Sequence, residues 1–315
     1  MENVTHTIVG LMMARAGLEK TTARGAGMMM IAANIPDIDA YYWFTDRLRY
    51  LDHHRAYTHS LGFAPLMALL PMVLVRARFS WRVYLASLAG ILSHLLLDWT
   101  NPYGIQLLLP FSPRRVMLDI TNIADVWIWV ILFTGLLAPL LLFRRKGEGA
   151  GPARQLLREG FAWFALIALF TYECGRLAAH DHAVDALASQ QYRGPSGKLS
   201  PPREVIAVPA DFFHPMRWRG IVRGEGFVAM LPVTLGEAVP TYQARVYPEA
   251  PPSPAIEAAK LRPDFQVMMR FSRAPFWVVN SVPGGSEILF VDLRFGTPDG
   301  AGFATVSAII PDKAQ

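Results

Sequence analysis

The chain has 315 residues, 52% of them hydrophobic and only 17% charged, where soluble globular chains carry about 25% charged residues. A net charge of +5 in so apolar a chain points to cytoplasmic loops and lipid headgroups, and no nucleic-acid partner is expected. The single Cys174 excludes an internal disulfide and a cysteine-based zinc knuckle.

In chain order, residues 4–16 and 24–35 read as two half-length helices split by Gly17 and Glu19-Lys20, too short to span a bilayer alone. Pro36 disfavours helix at Asn34-Ile35 and turns the chain. Residues 61–75 and 83–98 form a helical hairpin around a basic turn with Arg76, Arg78 and Arg82. Residues 126–143 make an uncharged run just long enough to span, and 160–178 make a second, with Glu173 and Arg176 at helical spacing. Cys174 in that run reads as a buried structural thiol. Gly194-Pro195-Ser196-Gly197 and Pro201-Pro202 mark a linker. Short β-like runs follow near 204–208, 217–223, 226–234, 241–247, 276–282, 287–294 and 302–309, with one helix near 254–261. The expected architecture is therefore an α-helical membrane bundle over 1–183, a linker over 184–202 and a small β-rich extramembrane domain over 203–315. The N-terminus lacks the pattern of a cleaved signal peptide.

Positive charge suggests an orientation. The loops near 15–24, 76–82 and 144–158 hold eleven Lys or Arg, and the opposite loops 45–60 and 99–122 hold five. Basic loops favour the cytoplasm. Alternation through the segments then places the polar clusters, and the C-terminal domain, on the outer side of a bacterial inner or plasma membrane.

Five of the eight histidines lie in the first 94 residues, beside carboxylates and within apolar sequence. Burying so many without a partner is costly, and a divalent cation is a common partner that uses imidazole lone pairs and neutralises carboxylates. His94 and Asp98 share a helix face at i,i+4, suited to ligating one ion or to an ordinary hydrogen bond in a packed bundle. Asp37 and Asp39 can bridge ions, divide into ligand and base, or simply cap a turn. Of His53, His54 and His59, two are expected to matter and His59 is the best placed. Arg55 either holds an anionic substrate or pairs with Asp52. His6 joins the set by convergence, Asn101 can hydrogen-bond a ligand or substrate, and Asp125 is a candidate ligand or a helix cap. His180, Asp181 and His182 read as surface residues and His214 as ordinary. No GxSxG, P-loop or HExxH motif occurs.

The ordered set Thr5-His6, Pro36-Asp37-Ile38-Asp39, His53-His54-Arg55 with Thr58-His59-Ser60, and His94-xxx-Asp98-xx-Asn101 resembles the YdjM-like predicted membrane-bound metal-dependent hydrolases over about residues 1–180. That family is itself distantly similar to zinc phospholipases C and single-strand nucleases. The resemblance implies that His6, Asp37 or Asp39, His59, His94 and Asp98 are ligands, with zinc the expected metal. No second HxxxD/E pair follows Asp98, so one or two ions are expected rather than three. The expected function is an integral membrane metal-dependent hydrolase of an anionic phosphoester, with Asp37 or Asp39 as proton acceptor and Arg55 on the substrate. The rival is a non-enzymatic metal-binding scaffold or transport-related protein.

Overall fold

The structure is a computed structural model that describes residues 1–143, 151–300 and 302–311. Two compact units divide it: residues 1–41 with 53–178, and residues 42–52 with 179–315. The first is helical and the second is β-rich. The basic cluster Arg144, Arg145 and Lys146, on which part of the orientation argument rests, lies outside the described residues.

The helical unit begins with α1 (Asn3–Arg15) and α2 (Gly25–Ala32), the two half-length helices expected. Pro36 does not simply turn the chain. A 3-10 helix occupies Ile35–Phe44, because proline's fixed φ suits the first turn of a helix and its missing N–H is not needed there. Arg47–His53 forms α3, and a single 3-10 turn, Tyr57–His59, follows it. The expected hairpin is present, but its first arm is broken into α4 (Ala64–Met67) and α5 (Leu69–Leu74) before α6 (Trp81–Trp99). Ser80 caps α6, its Oγ accepting from the Val83 N–H.

α7 covers Val126–Phe143, and α8 runs from Gly151 to Ala188, well past the apolar run at both ends. Among the described residues α8 is the helix long and apolar enough to cross a membrane by itself; Val126–Leu142 is a shorter apolar helix, and Arg47–His59 with Ala64–Leu74 qualifies only as a pair bent by 81°. Trp163, Phe164, Ile167 and Phe170 of α8 are exposed, an apolar surface suited to lipid. On its other face Ala162, Ala165 and Leu169 pack with Met12 of α1 and with Ile128 and Leu132 of α7. Cys174 lies off that stripe and is exposed, which corrects its reading as a buried thiol.

In the second unit a hairpin of two-residue strands, β1 (Tyr192–Arg193) with β2 (Leu199–Ser200), lies within the expected linker, and α8 runs into the first residues of that linker, to Ala188. β3 (Glu204–Pro209), β4 (Arg217–Arg223), β5 (Phe227–Thr234) and β6 (Arg245–Pro248) form an antiparallel meander. β7 (Pro275–Val282), β8 (Gly285–Asp292) and β9 (Thr305–Pro311) form a second. Alternation along the strands gives the first sheet two apolar faces. Ala207, Trp218, Val222 and Leu231 pack against Ala183 and Leu187 of α8, whereas Ile206, Val208, Ile221 and Val228 meet Phe276, Val291 and Leu293. Two helices join the sheets: the expected α9 (Pro254–Lys260) and an unexpected α10 (Pro263–Phe271). The segment 42–52 belongs here, with Arg270 Nη2 donating to Asp52 at 2.8 Å. His180 is not a simple surface group: its Nε2–H donates to the Ala207 carbonyl at 3.2 Å. His214 is exposed, beside Asp211.

Candidate metal centre

Short pieces of chain converge on the candidate site, and close helix packing sets their spacing. A Cβ added at Gly10 would lie 2.6 Å from the Met29 carbonyl oxygen, and one at Gly90 would lie 2.7 Å from the Ala32 Cβ. α2 therefore rests directly on both α1 and α6. His6 and His94, each one turn from its glycine, stack with ring centroids 3.8 Å apart. Glu2 starts α1, its carboxylate accepting the Val4 N–H at 2.7 Å and the Trp129 Nε1–H at 2.8 Å. Past α2, Asn34 Nδ2 donates to Thr7 Oγ1 at 2.9 Å and to the Met30 carbonyl at 2.8 Å, fixing the entry to the 3-10 helix that carries Asp37 and Asp39.

Arg55 lies in the left-handed region, at φ +63°, which is uncommon for a non-glycine residue and is shared here by Arg76 and Asp119. In that conformation its N–H donates to Asp39 Oδ2 at 3.0 Å. Its guanidinium donates to Asn101 Oδ1 at 2.9 Å and lies 3.0 Å from Asp98 Oδ1. Arg55 thus pairs with Asp98, and Asp52 is taken by Arg270.

Asp37, His59, His94 and Asp98 each offer one ligand atom, all within 4.8 Å of one another. Asp37, Asp39 and His54 form a second such group, so Asp37 is common to both. His94 Nδ1–H donates to the Ala33 carbonyl at 2.7 Å, which leaves the Nε2 lone pair facing the cluster. That Nε2 lies 3.0 Å from His59 Nε2. Either His59 donates its proton to His94, or both lone pairs address one cation. Asp98 Oδ2 is 3.2 Å from His59 Nε2 and 3.4 Å from His94 Nε2. Asp98 Oδ2 and Asp37 Oδ1 are both buried without a hydrogen-bond donor. Two imidazoles, two carboxylates and orphaned buried oxygens fit a divalent ion of the zinc type.

Asp39 is held differently. It meets His54 Nδ1 at 2.6 Å, accepts Thr58 Oγ1–H at 2.5 Å and lies 3.4 Å from His59 Nδ1. For both acids burial works to raise the pKa. In Asp37 the contacts with His59 and His94 outweigh it, and in Asp39 those with His54 and His59, so each stays well below the usual carboxylate range. Anionic carboxylates meet a cation without first losing a proton.

The remaining candidates lie beside the two ligand groups or apart from them. His6 is fully buried, 3.4 Å from Asp98 Oδ1 and with both nitrogens lacking hydrogen-bond partners, but it lies outside both ligand groups. His53 is exposed at the end of α3, because the chain reverses at the next residues and points His54 inward alone; it joins neither group. Asp125 also joins neither: it caps α7, accepting the Trp127 N–H at 2.9 Å, and accepts the Tyr172 hydroxyl at 3.1 Å. Asn101 meets the site through Arg55.

Two supports escaped the sequence reading. Arg115 is buried, donating to the His54 carbonyl at 2.8 Å and to the Gly104 carbonyl at 3.2 Å. Tyr103 lies beneath both guanidiniums, 4.9 Å from Arg55 and 5.3 Å from Arg115. In the sequence Arg115 reads only as loop charge beside Arg114, and no local signal separates the pair.

The profile of the YdjM inner membrane protein family matches residues 1–183, more than half of the chain, and the chain belongs to that family. Membership supports a membrane location. The uncharacterized protein YfhP of Bacillus subtilis (strain 168) is 28% identical over 143 residues, which cover 41% of this chain and 43% of that protein. The match thus spans less than half of the relative's length. No solved structure matches the chain.

Proposed function

We propose that this member of the YdjM family is an integral membrane metal-dependent hydrolase of an anionic phosphoester, with its site and β-rich domain on the extracytoplasmic side. The observation that supports this most is the pair of ligand groups sharing Asp37, with the Arg55 guanidinium beside them. A divalent ion held by Asp37, His59, His94 and Asp98 would lower the pKa of a bound water towards ~7 and offset charge on the phosphoryl oxygens.

The chain's own groups divide the remaining work. Arg55, oriented by Asn101 and stacked on Tyr103, presents a planar cation suited to a phosphoryl group. Asp39, already engaged by His54, Thr58 and the Arg55 N–H, is a weak base and serves to orient the imidazoles. Asp37 Oδ1 accepts no hydrogen bond and is the oxygen left open for the ion or for the proton of its water.

The test is metal analysis of detergent-purified protein, followed by a screen of phosphodiesters and phosphomonoesters before and after chelation. Turnover that a chelator removes and added zinc restores supports the proposal. Tightly bound metal without turnover of either ester class would favour the scaffold or transport reading.

A further inference from the structure

An apolar cavity of about 490 Å³ lies among α1, α6 and α8, within the usual size range of ligand sites. Val9, Met13, Leu96, Trp163, Phe170 and Leu177 supply much of its wall. Glu173 breaks the pattern. It lines the cavity, and both of its carboxyl oxygens are buried without a hydrogen-bond partner.

None of its polar neighbours hydrogen-bonds it, although the charge of Arg176, three residues on, attracts it. The Tyr172 hydroxyl donates to Asp125 at 3.1 Å, and Arg176 Nε–H donates to the Ile120 carbonyl at 2.7 Å. The cavity's own hydroxyls, Ser93 and Thr100, donate to the Gly90 and Leu97 carbonyls at 2.8 Å. A carboxyl group removed from water and from donors is expensive, more so at a bilayer. What the cavity lacks is one O–H or N–H at the end of an apolar body.

We propose that this cavity binds an aliphatic chain bearing a hydroxyl or amine, the chain lying along the apolar wall and the O–H or N–H donating to Glu173. The cavity and the metal centre use neighbouring faces of α6, since Leu97 and Thr100 of the wall flank Asp98. The proposal does not depend on hydrolysis.

Cys174, the chain's single cysteine, also lines the cavity and serves as a reporter. The full chain is placed in phosphatidylcholine nanodiscs, whose headgroups carry no donor, and alkylation of Cys174 by N-ethylmaleimide is followed by mass spectrometry. Dodecanol and dodecylamine should slow alkylation, and dodecyl methyl ether should need about fivefold more to match them, the discrimination expected of one hydrogen bond. The more protective of the alcohol and the amine identifies the preferred donor. In Glu173→Leu all three probes should act alike, and in Leu166→Trp, which fills the wall, none should protect. Equal protection by alcohol and ether in the wild-type chain, or no protection by any probe, overturns the proposal. That comparison needs no variant, so it decides the matter even if Glu173→Leu fails to fold. Discrimination that persists in a folded Glu173→Leu overturns it as well.

Discussion

Replacing Gly90 by alanine tests whether helix spacing positions the ligands. The new Cβ would lie 2.7 Å from the Ala32 Cβ, where ordinary contact begins at 3.4 Å, so α6 must withdraw from α2 by roughly 0.7 Å. Overpacking of this kind costs about 1–3 kcal/mol, against which alanine returns about 1 kcal/mol of helix propensity. Metal sites tolerate ligand shifts of only about 0.2 Å. His94 is one turn from Gly90, so its Nε2 moves with the helix, and metal affinity should fall by about ten- to a hundredfold. Competition with a chromophoric zinc chelator measures this on purified protein. The decisive variant is Gly90→Ala with Ala32→Gly, which removes the clash, leaves helix propensity balanced, and faces next the flexible Met29 Cε at 3.4 Å. It should regain most of the lost affinity. Wild-type affinity in Gly90→Ala, or no recovery in the double variant, would refute the argument that this contact sets the site.

Other outcomes follow from the same geometry. His94→Ala and Asp98→Ala should release metal from a bundle that still folds, Asp98→Ala at a cost in stability because it takes the buried carboxylate from Arg55; Leu95→Ala, at a position 2% exposed, should lose about 2–5 kcal/mol of stability yet keep its metal. Metal loss that tracks melting temperature across all three would show general destabilisation instead. Asp37→Asn should abolish ester hydrolysis, and Arg55→Ala should mainly raise KM if it anchors the anion equally in ground and transition states; full activity in Asp37→Asn removes its proposed role. For orientation, in a Cys174→Ser background, Ala153→Cys should be shielded from a membrane-impermeant thiol reagent in intact cells and Ser196→Cys labelled. The reverse pattern would put the site in the cytoplasm.

Much of the fold was legible where periodicity and packing agree. Residues 217–223 read as a strand and form β4 over the same span, because both of its faces are covered and the run is bounded by turn residues. α10 was hidden because Phe265, Met268 and Phe271 mark a helical face over only nine residues, too few for a periodic signal. α8 outran its apolar stretch because hydropathy records what lipid accepts, whereas helix propensity carries through Ala178, Ala179, Ala183 and Ala186. At the site, the i,i+4 geometry of His94 and Asp98 was readable from spacing alone. The separation of His53 from His54 was not: adjacent histidines look alike in sequence, and the left-handed turn at Arg55 is a backbone property. Asp125 likewise shows its use only once the N–H groups of α7 are placed around it.

The construction of the site implies that cation binding and local folding are coupled. Its candidate ligands sit on a 3-10 helix, a single 3-10 turn and the last turns of α6, and short 3-10 segments have little stability of their own. What holds the first two segments together is polar: Asp39 alone ties His54, the Arg55 N–H and Thr58 to the Ile35–Phe44 stretch. The other carboxylates, Asp37 and Asp98, each keep one oxygen with no donor, Oδ1 and Oδ2, facing imidazole nitrogens across more than 3 Å. A partly satisfied buried network is costly, and one multivalent cation completes it more economically than separate donors would. α6, packed on α2 through Gly90, is the firmer wall of the site, and the 3-10 segments are the part that a bound cation would order. Hydrogen exchange should therefore slow on metal addition across residues 35–41 and 53–60 and stay unchanged across 83–93; uniform slowing over all of them would make the cation a global stabiliser and not the organiser of this corner.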